Sequence, residues 1–248
     1  MDRLEGERAP SAAGPRGVMA GENMTYRRCM MKVYGTYFFD LDGTITDSSL
    51  GITNSVMYAL KKFGIEEGDR RKLYKFIGPP LTGSFREYYG FSEEKAAEAV
   101  RYYREYYQDR GIYENRVYDG FEEMLKALKA AGKNLVVATS KPEPYAREII
   151  DYFKLSGYFD YVAGMELDGG RGTKAEVIRY ALSACGIEDK SGVLMVGDRE
   201  HDVFGAKDAG VDCLGVLYGF GSREELERAG ADYIAETVED IGRMKYVR

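Results

Sequence analysis

Four short runs of apolar, mostly β-branched or aromatic residues set the frame for this chain: Val33 to Phe39, Leu135 to Thr139, Val193 to Val196 and Cys213 to Leu217. Each is nearly continuous in apolar character rather than alternating, the pattern of strands whose sheet is covered on both faces. Stretches with helical periodicity lie between and after them, at Phe121 to Ala131, Pro144 to Phe153, Lys174 to Cys185, Asp202 to Ala209 and Ser222 to Ala229. Strands alternating with helices predict an α/β chain built on a doubly wound, Rossmann-like parallel sheet. In such sheets ligands sit beyond the carboxyl ends of the strands.

The alternation is interrupted once. Ser48 is placed to cap a helix whose apolar residues Ile52, Val56, Ala59, Leu60 and Phe63 recur at helical spacing until Gly64. Lys72 to Ile77, Leu81 to Tyr89 and Glu93 to Gln108 also lack strand character and are punctuated by Gly78-Pro79-Pro80 and Gly90. Residues 47–115 therefore predict a small all-helical cap inserted into a core formed by residues 31–46 and 116–248. Residues 1–30 carry Pro10, Pro15 and interspersed charges without periodicity or the apolar centre of a secretory signal. They read as a disordered or non-native extension, with Met30 or Met31 as an alternative start.

Composition removes several classes of function. No apolar run in the 248 residues approaches the roughly 18 needed to span a membrane. Lysine and arginine number 35 against 41 acidic residues, a net charge of -6 with no basic block, so nucleic acid is not the expected partner. One histidine, His201, cannot build a multi-histidine metal centre, and no G-x-S-x-G elbow supplies a serine nucleophile. Metal chemistry must fall to carboxylates. The cysteines Cys29, Cys185 and Cys213 are odd in number and far apart, as expected of reduced thiols in the cytoplasm, with Cys185 and Cys213 read as small buried hydrophobes.

Polar residues then cluster where the strands end. Phe38-Phe39-Asp40-Leu41-Asp42-Gly43-Thr44 places two carboxylates two residues apart, either as a solvated Asp-Gly turn or as a pair facing one ligand, one attacking and one exchanging protons. Gly197-Asp198-Arg199-Glu200-His201-Asp202 follows the third run. Its two aspartates either cap a helix and lie on its surface, or converge to hold a hard cation such as Mg²⁺. His201 between them reads as a surface residue or a support behind the ligands, rather than as a ligand or base itself. Thr139, with Ser140 and Lys141 beside it, and Lys174 after a glycine-rich stretch are each either a cap or solvated group, or a ligand for a phosphoryl group. The order G-K-[ST] is absent, which removes a nucleotide-binding P-loop.

In this order, D-x-D-G-T at Asp40 to Thr44, the strand-end Thr139, Lys174 and G-D-x-x-x-D at Gly197 to Asp202 resemble the haloacid dehalogenase superfamily of phosphatases over residues 36 to about 220. The resemblance implies an Mg²⁺-dependent phosphomonoester hydrolase with a helical cap. It implies Asp40 as the nucleophile that becomes an aspartyl-phosphate and Asp42 as the acid and base. It implies Mg²⁺ on Asp40, the Asp42 carbonyl, Asp198 and Asp202, and Gly43, Thr44, Thr139, Ser140 and Lys174 around the phosphoryl oxygens. Asp42 separates the chain from the dehalogenases, which lack that residue. A sugar-phosphate mutase, or a receiver-like module that only holds the phosphoryl group, would use similar residues.

The segment Phe76 to Leu81 resembles substrate-facing loops of phosphoglycolate phosphatases and 5'-nucleotidase-like members, which points to phosphoglycolate or a nucleoside 5'-monophosphate. Gly78 and Arg86 are the expected substrate contacts in the cap. Tyr102, Tyr103, Tyr106 and Tyr107 either stack on a base or pack the cap helices together. A cytoplasmic monomer or homodimer acting on a small phosphorylated metabolite, with neither nucleic acid nor membrane as partner, is the resulting expectation.

Overall fold

The computed structural model describes residues 32–167 and 170–243; the expectation for residues 1–30 lies outside them. The chain enters strand β1 (Thr36–Phe39) and leaves the core through β2 (Thr46–Asp47). The cap follows, made of α1 (Ser49–Lys62), a 3₁₀ segment (Arg70–Phe76), α2 (Leu81–Tyr89), α3 (Glu93–Tyr106) and a π-type turn (Tyr107–Gly111) that continues α3. The return strand β3 (Arg116–Val117) pairs antiparallel with β2, so both crossings between core and cap lie side by side. Arg116 closes this hinge on Asp47 at 3.0 Å.

The rest of the core alternates as the apolar runs require: α4 (Phe121–Ala130), β4 (Asn134–Pro142), α5 (Glu143–Tyr152), β5 (Tyr161–Met165), α6 (Lys174–Ala184), β6 (Val193–Gly197), α7 (Glu200–Ala209), β7 (Asp212–Val216), α8 (Arg223–Ala229), β8 (Tyr233–Ala235) and α9 (Val238–Gly242). Six strands form one parallel sheet in the order β5-β4-β1-β6-β7-β8. Strand β1 is central, with Phe38 in register with Val136 on one side and Met195 on the other.

Side chains alternate across this sheet, and both faces are apolar. Phe38, Val136, Ala138, Met195 and Cys213 pack against Val177, Ile178 and Ala181 of α6 and Val203 and Ala206 of α7. Phe39, Leu135, Val137, Leu194 and Val196 pack on the opposite face against Phe121 and Leu125 of α4, Ile149 and Ile150 of α5 and Ile241 of α9. Burial on two faces is the reason the strands read as continuous apolar runs. The chain builds outward from β1 through β4 to β5, then returns to β6 on the other side, so the strand order reverses at the carboxyl ends of β1 and β6. A crevice is expected at that reversal.

Some local expectations change. Ser48 occupies the cap position of α1, but its hydroxyl is buried and makes no hydrogen bond; the Asp47 carboxylate accepts from the Ser49 amide at 3.1 Å in its place. Cys213 is buried as expected, whereas Cys185 is half-buried at the end of α6. Strands β5 and β8 and helix α9 had no counterpart in the sequence reading. Among the described residues, no helix is long and apolar enough to cross a membrane.

Candidate active site

The loop after β1 is organised chiefly by one carbonyl, with the Gly43 amide donating to the Thr46 carbonyl at 2.8 Å. The Leu41 carbonyl receives the amides of Thr44, Ile45 and Thr46 at 3.3, 3.0 and 2.9 Å, and this tight turn sets Asp40 and Asp42 on the rim of the sheet with Leu41 buried beneath. Asp198 follows β6 and lies outside α7, whose N-cap is Arg199; it is not the helix cap. Its Oδ2 accepts the Phe220 amide at 2.8 Å and its Oδ1 accepts the Thr44 hydroxyl at 3.3 Å. Asp202, in the first turn of α7, accepts the Arg199 amide at 3.1 Å through Oδ2. Lys174 opens α6, where Thr173 caps the helix, and its side chain passes α7 at Gly205. A Cβ on Gly205 would meet Lys174 Cγ at 2.5 Å, so that position must stay bare.

Carboxylate oxygens of Asp40, Asp198 and Asp202 lie within 4.8 Å of one another, and all three residues are buried. The Lys174 ammonium reaches Asp40 Oδ1 and Asp202 Oδ1, both at 2.8 Å, and donates to the Ala138 carbonyl at 3.1 Å. Three buried carboxyl groups thus share a single ammonium. Burial, with Asp202 and Asp40 adjacent, pushes the Asp198 carboxyl well above the usual carboxylate range. Burial raises Asp202 as well, against the opposing pull of Lys174. Burial alone would lower Lys174, but Asp202 and Asp40 outweigh it and hold the ammonium charged. An all-oxygen donor set with this charge deficit fits a hard divalent cation such as Mg²⁺.

Asp42 stands apart from that cluster. Its Oδ2 pairs with the Lys141 ammonium at 3.0 Å, while its Oδ1 is buried and accepts no hydrogen bond. Lys141 Nζ also donates to the Tyr107 hydroxyl of the cap at 2.7 Å, and the Lys141 amide donates to Thr139 Oγ1 at 3.2 Å. Two carboxylates two residues apart thus pair with different lysines, Asp40 with Lys174 among the other aspartates and Asp42 with Lys141 against the cap.

A cavity of about 310 Å³ opens over these groups. Asp40, Asp42, Thr139, Ser140 and Lys141 form its core side, and Phe76, Gly78, Tyr103, Arg104 and Tyr107 its cap side. Val100, Tyr103, Arg104 and Tyr107 fall at i, i+3, i+4 and i+7 on one face of α3 and its continuation. Tyr103 and Tyr107 stack on each other at 5.3 Å, and burial raises both phenols. Tyr102 and Tyr106 turn away, against Phe63 and Tyr58 respectively, so the tyrosine repeat divides between site and packing.

The structure brings Asp40, Asp42, Thr139, Ser140, Lys174, Asp198, Asp202 and Gly78 around this crevice. It does not bring Arg86, which is exposed on the far side of α2 beside Gly83 and Gly90. Gly43 and Thr44 are also reassigned. Their amides are used inside the turn, the Thr44 hydroxyl serves Asp198, and a Cβ on Gly43 would overlap Asp198 Oδ2 at 2.2 Å. Gly43 takes φ +84°, so it is bare for both reasons and positions Asp198 rather than a phosphate. His201 lies half-buried on α7 in an adjoining groove with Phe204, and that groove shares Gly78 and Ser140 with the cavity. Lys141 was expected only as a neighbour of Thr139 and Tyr107 only as one of four tyrosines that stack on a base or pack the cap, and Arg104 was not among the expected site residues. Arg104 had a usable signal, since it shares a helical face with apolar and aromatic residues.

A parallel sheet with an inserted helical cap and an acidic crevice at the reversal of strand order defines the class. Residues 37–216 match the haloacid dehalogenase-like hydrolases, and the chain belongs to that family. It is 51% identical over 193 residues to a 5'-nucleotidase of Pseudomonas aeruginosa, covering 78% of this chain and 87% of that one. It is 38% identical over 207 residues to the tyrosine-protein kinase PtkA of Mycobacterium tuberculosis, covering 82% of this chain and 69% of that one. The crystal structure of a predicted phosphatase from Clostridium acetobutylicum superposes with a TM-score of 0.82 at 50% identity, over 86% of this chain and 98% of the other. The protein is a phosphatase of this family.

Proposed function

We propose that the protein is an Mg²⁺-dependent phosphomonoesterase that works through a phosphoryl group on Asp40 and takes nucleoside 5'-monophosphates. The observation that carries the reaction is the contrast between Asp40, set among Lys174, Asp198 and Asp202, and Asp42, held separately by Lys141 with one buried oxygen unpartnered. In the first step an Asp40 oxygen bonds to phosphorus, the ester P–O bond breaks, and Asp42 gives its proton to the departing oxygen. In the second, a water oxygen bonds to phosphorus, the Asp40–phosphorus bond breaks, and Asp42 takes the water's proton. Mg²⁺ on Asp40, the Asp42 carbonyl, Asp198 and Asp202 would neutralise the phosphate charge that otherwise repels the attacking carboxylate. Lys174 adds a fixed positive charge, and Thr139 and Ser140 offer hydroxyls from the end of β4.

The leaving group is read by the cap. A cavity of about 310 Å³ faced by Phe76, Tyr103, Tyr107 and Tyr145 is larger and more apolar than a two-carbon glycolate needs, and suits a nucleoside. The 5'-nucleotidase relative at 51% identity supports the same choice. Of the three cations lining the cavity, Lys141 pairs with Asp42 and Arg171 with Glu143 and Glu166; among the described residues Arg104 pairs with none. Arg104→Ala is expected to raise KM for nucleoside monophosphates about 10-fold or more with kcat nearly unchanged, the cost of one charge-assisted hydrogen bond. An unchanged KM removes Arg104 from substrate recognition.

The reading is tested by inorganic phosphate release from nucleoside monophosphates, phosphoglycolate and sugar phosphates, with Mg²⁺ or EDTA. Release that requires Mg²⁺ and is fastest, in kcat/KM, on nucleoside monophosphates is the expected result. Preference for phosphoglycolate overturns the substrate, an isomerised sugar phosphate indicates a mutase, and a stable phosphoprotein without release indicates a receiver-like module. Action as a cytoplasmic monomer or homodimer, without nucleic acid or membrane, completes the proposal; a net charge of -6 and the unpaired Cys185 and Cys213 support it.

A further inference from the structure

Lys141 does not belong to the acidic cluster and has no place in the two chemical steps, yet its ammonium is almost fully buried, with a side-chain exposure of 5%. A buried ammonium is costly unless its partners are fixed. Its two partners come from different parts of the molecule. Asp42 Oδ2, at 3.0 Å, lies in the loop after β1, and the Tyr107 hydroxyl, at 2.7 Å, lies in the π-type turn of the cap. The ammonium also sits 4.7 Å from the centre of the Tyr107 ring. The Thr139 hydroxyl holds the Lys141 backbone, so the origin of the side chain is set by the end of β4. One oxygen of Asp42 is thereby immobilised, and the other, Oδ1, is buried without a hydrogen-bond partner in a residue that lines the cavity.

We propose that Lys141 and Tyr107 are positioning residues for Asp42: Lys141 orients the carboxyl so that Oδ1 meets the leaving oxygen, and Tyr107 makes that orientation depend on the cap being closed. The arrangement follows from geometry. A carboxyl on a loop has two rotatable bonds, and a proton transfer requires its oxygen within hydrogen-bond reach of the ester oxygen. Without Lys141 nothing among the described contacts holds Asp42 Oδ2. Without the Tyr107 hydroxyl, Lys141 keeps Asp42 but loses its hydrogen bond to the cap and retains only the contact with the ring. The π-type geometry at Tyr107–Gly111 is consistent with a turn kept for its side-chain placement, since such bulges are frequent at functional sites.

The inference rests on the aspartyl-phosphate reading, and leaving-group chemistry separates the two. p-Nitrophenolate departs without a proton, whereas the alkoxide of a nucleoside monophosphate or of methyl phosphate needs one. Lys141→Met is therefore expected to lower kcat/KM on the alkyl esters by about 100-fold, within the range of general acid catalysis. The same variant should keep the rapid first release of p-nitrophenol within about 3-fold and then turn over slowly, because Asp42 also serves the water step. Tyr107→Phe, which keeps the ring, should show the same pattern at about 10-fold. In an Asp42→Asn background, Lys141→Met should cost less than 2-fold more, the signature of a residue that acts through another. Equal losses on both leaving groups, or an undiminished cost in the Asp42→Asn background, overturn the proposal and make Lys141 structural or a direct phosphate ligand. If Asp42→Asn itself shows no leaving-group dependence, the mechanism fails rather than the positioning role. Should Lys141→Met not fold, Tyr107→Phe decides alone: no selective loss on alkyl esters overturns the coupling to the cap.

Discussion

Asp40→Asn is expected to abolish phosphate release, with kcat reduced by about 10⁴-fold or more, while the folded state survives. The amide is close to the carboxylate in size but cannot attack phosphorus, and loss of a nucleophile removes the whole two-step path rather than one contribution to it. The fold should tolerate the change. Asp40 is one of three buried carboxylates around one ammonium, and Lys174 keeps Asp202 at 2.8 Å after the substitution. Removing one negative charge relieves Asp198 and Asp202, so metal-free Asp40→Asn should melt at or above the wild-type temperature. Two measurements check this: steady-state phosphate release, and acid quench of wild type on substrate followed by hydroxylamine, which cleaves an acyl phosphate. Hydroxylamine-labile phosphate in wild type but not in Asp40→Asn is the expected pair. Residual turnover within 10-fold of wild type would transfer the nucleophile to another group, such as a water molecule.

What was legible beforehand follows a physical division. The central strands β1, β4, β6 and β7 are buried on both faces, and their runs of Phe, Val, Leu and Met announced them. Strand β5, Tyr-Val-Ala-Gly-Met, is half-buried at both ends and contains glycine, and β8 has three residues, so neither carries a period long enough to read. The aspartates were legible because clustered carboxylates at strand ends are rare without a task. Their supports were not. Lys141 finds Tyr107, 34 residues away, and Asp42, still farther along the chain, and only the tertiary fold supplies those partners. Gly43 and Thr44 carried a motif whose hydrogen bonds turned out to be spent inside the turn and on Asp198. The misplaced arginine is a matter of helical phase. Arg86 sits on an exposed face of α2, whereas Arg104 shares its face with Val100, Tyr103 and Tyr107, and counting by three and four from those apolar positions would have chosen it.

The acidic cluster ties stability to the cation as firmly as activity. EDTA should remove phosphate release, and saturating Mg²⁺ added to metal-free protein should raise Tm by about 5–10 °C at pH 8. A ligand at about 100 times its Kd contributes roughly 2.7 kcal/mol, and each kcal/mol moves Tm by about 2–4 °C in a protein of this size. The sign of the pH dependence follows from Asp198. Burial with Asp202 and Asp40 beside it makes the folded state bind that proton more tightly than the unfolded chain does, where a carboxyl titrates near about 3.9. Between that value and the raised folded value the folded state holds more protons, so the stability of the metal-free protein falls as pH rises through the window. Asp47 and Asp160, depressed in spite of burial by hydrogen bonds to Ser49 and Lys129, act in the opposite direction, and their contribution is lost on acidification. Asp198→Asn separates the two. Its side-chain oxygen can still accept from Phe220 or Thr44, but the charge is gone. The variant should be inactive, more stable than metal-free wild type at pH 8 by several degrees, equal to it at pH 4, and nearly insensitive to Mg²⁺. Thermal melts at the two pH values, with and without Mg²⁺, make the comparison. A full Mg²⁺-induced shift in Asp198→Asn would place the cation elsewhere and leave the raised Asp198 proton as a cost of the fold alone.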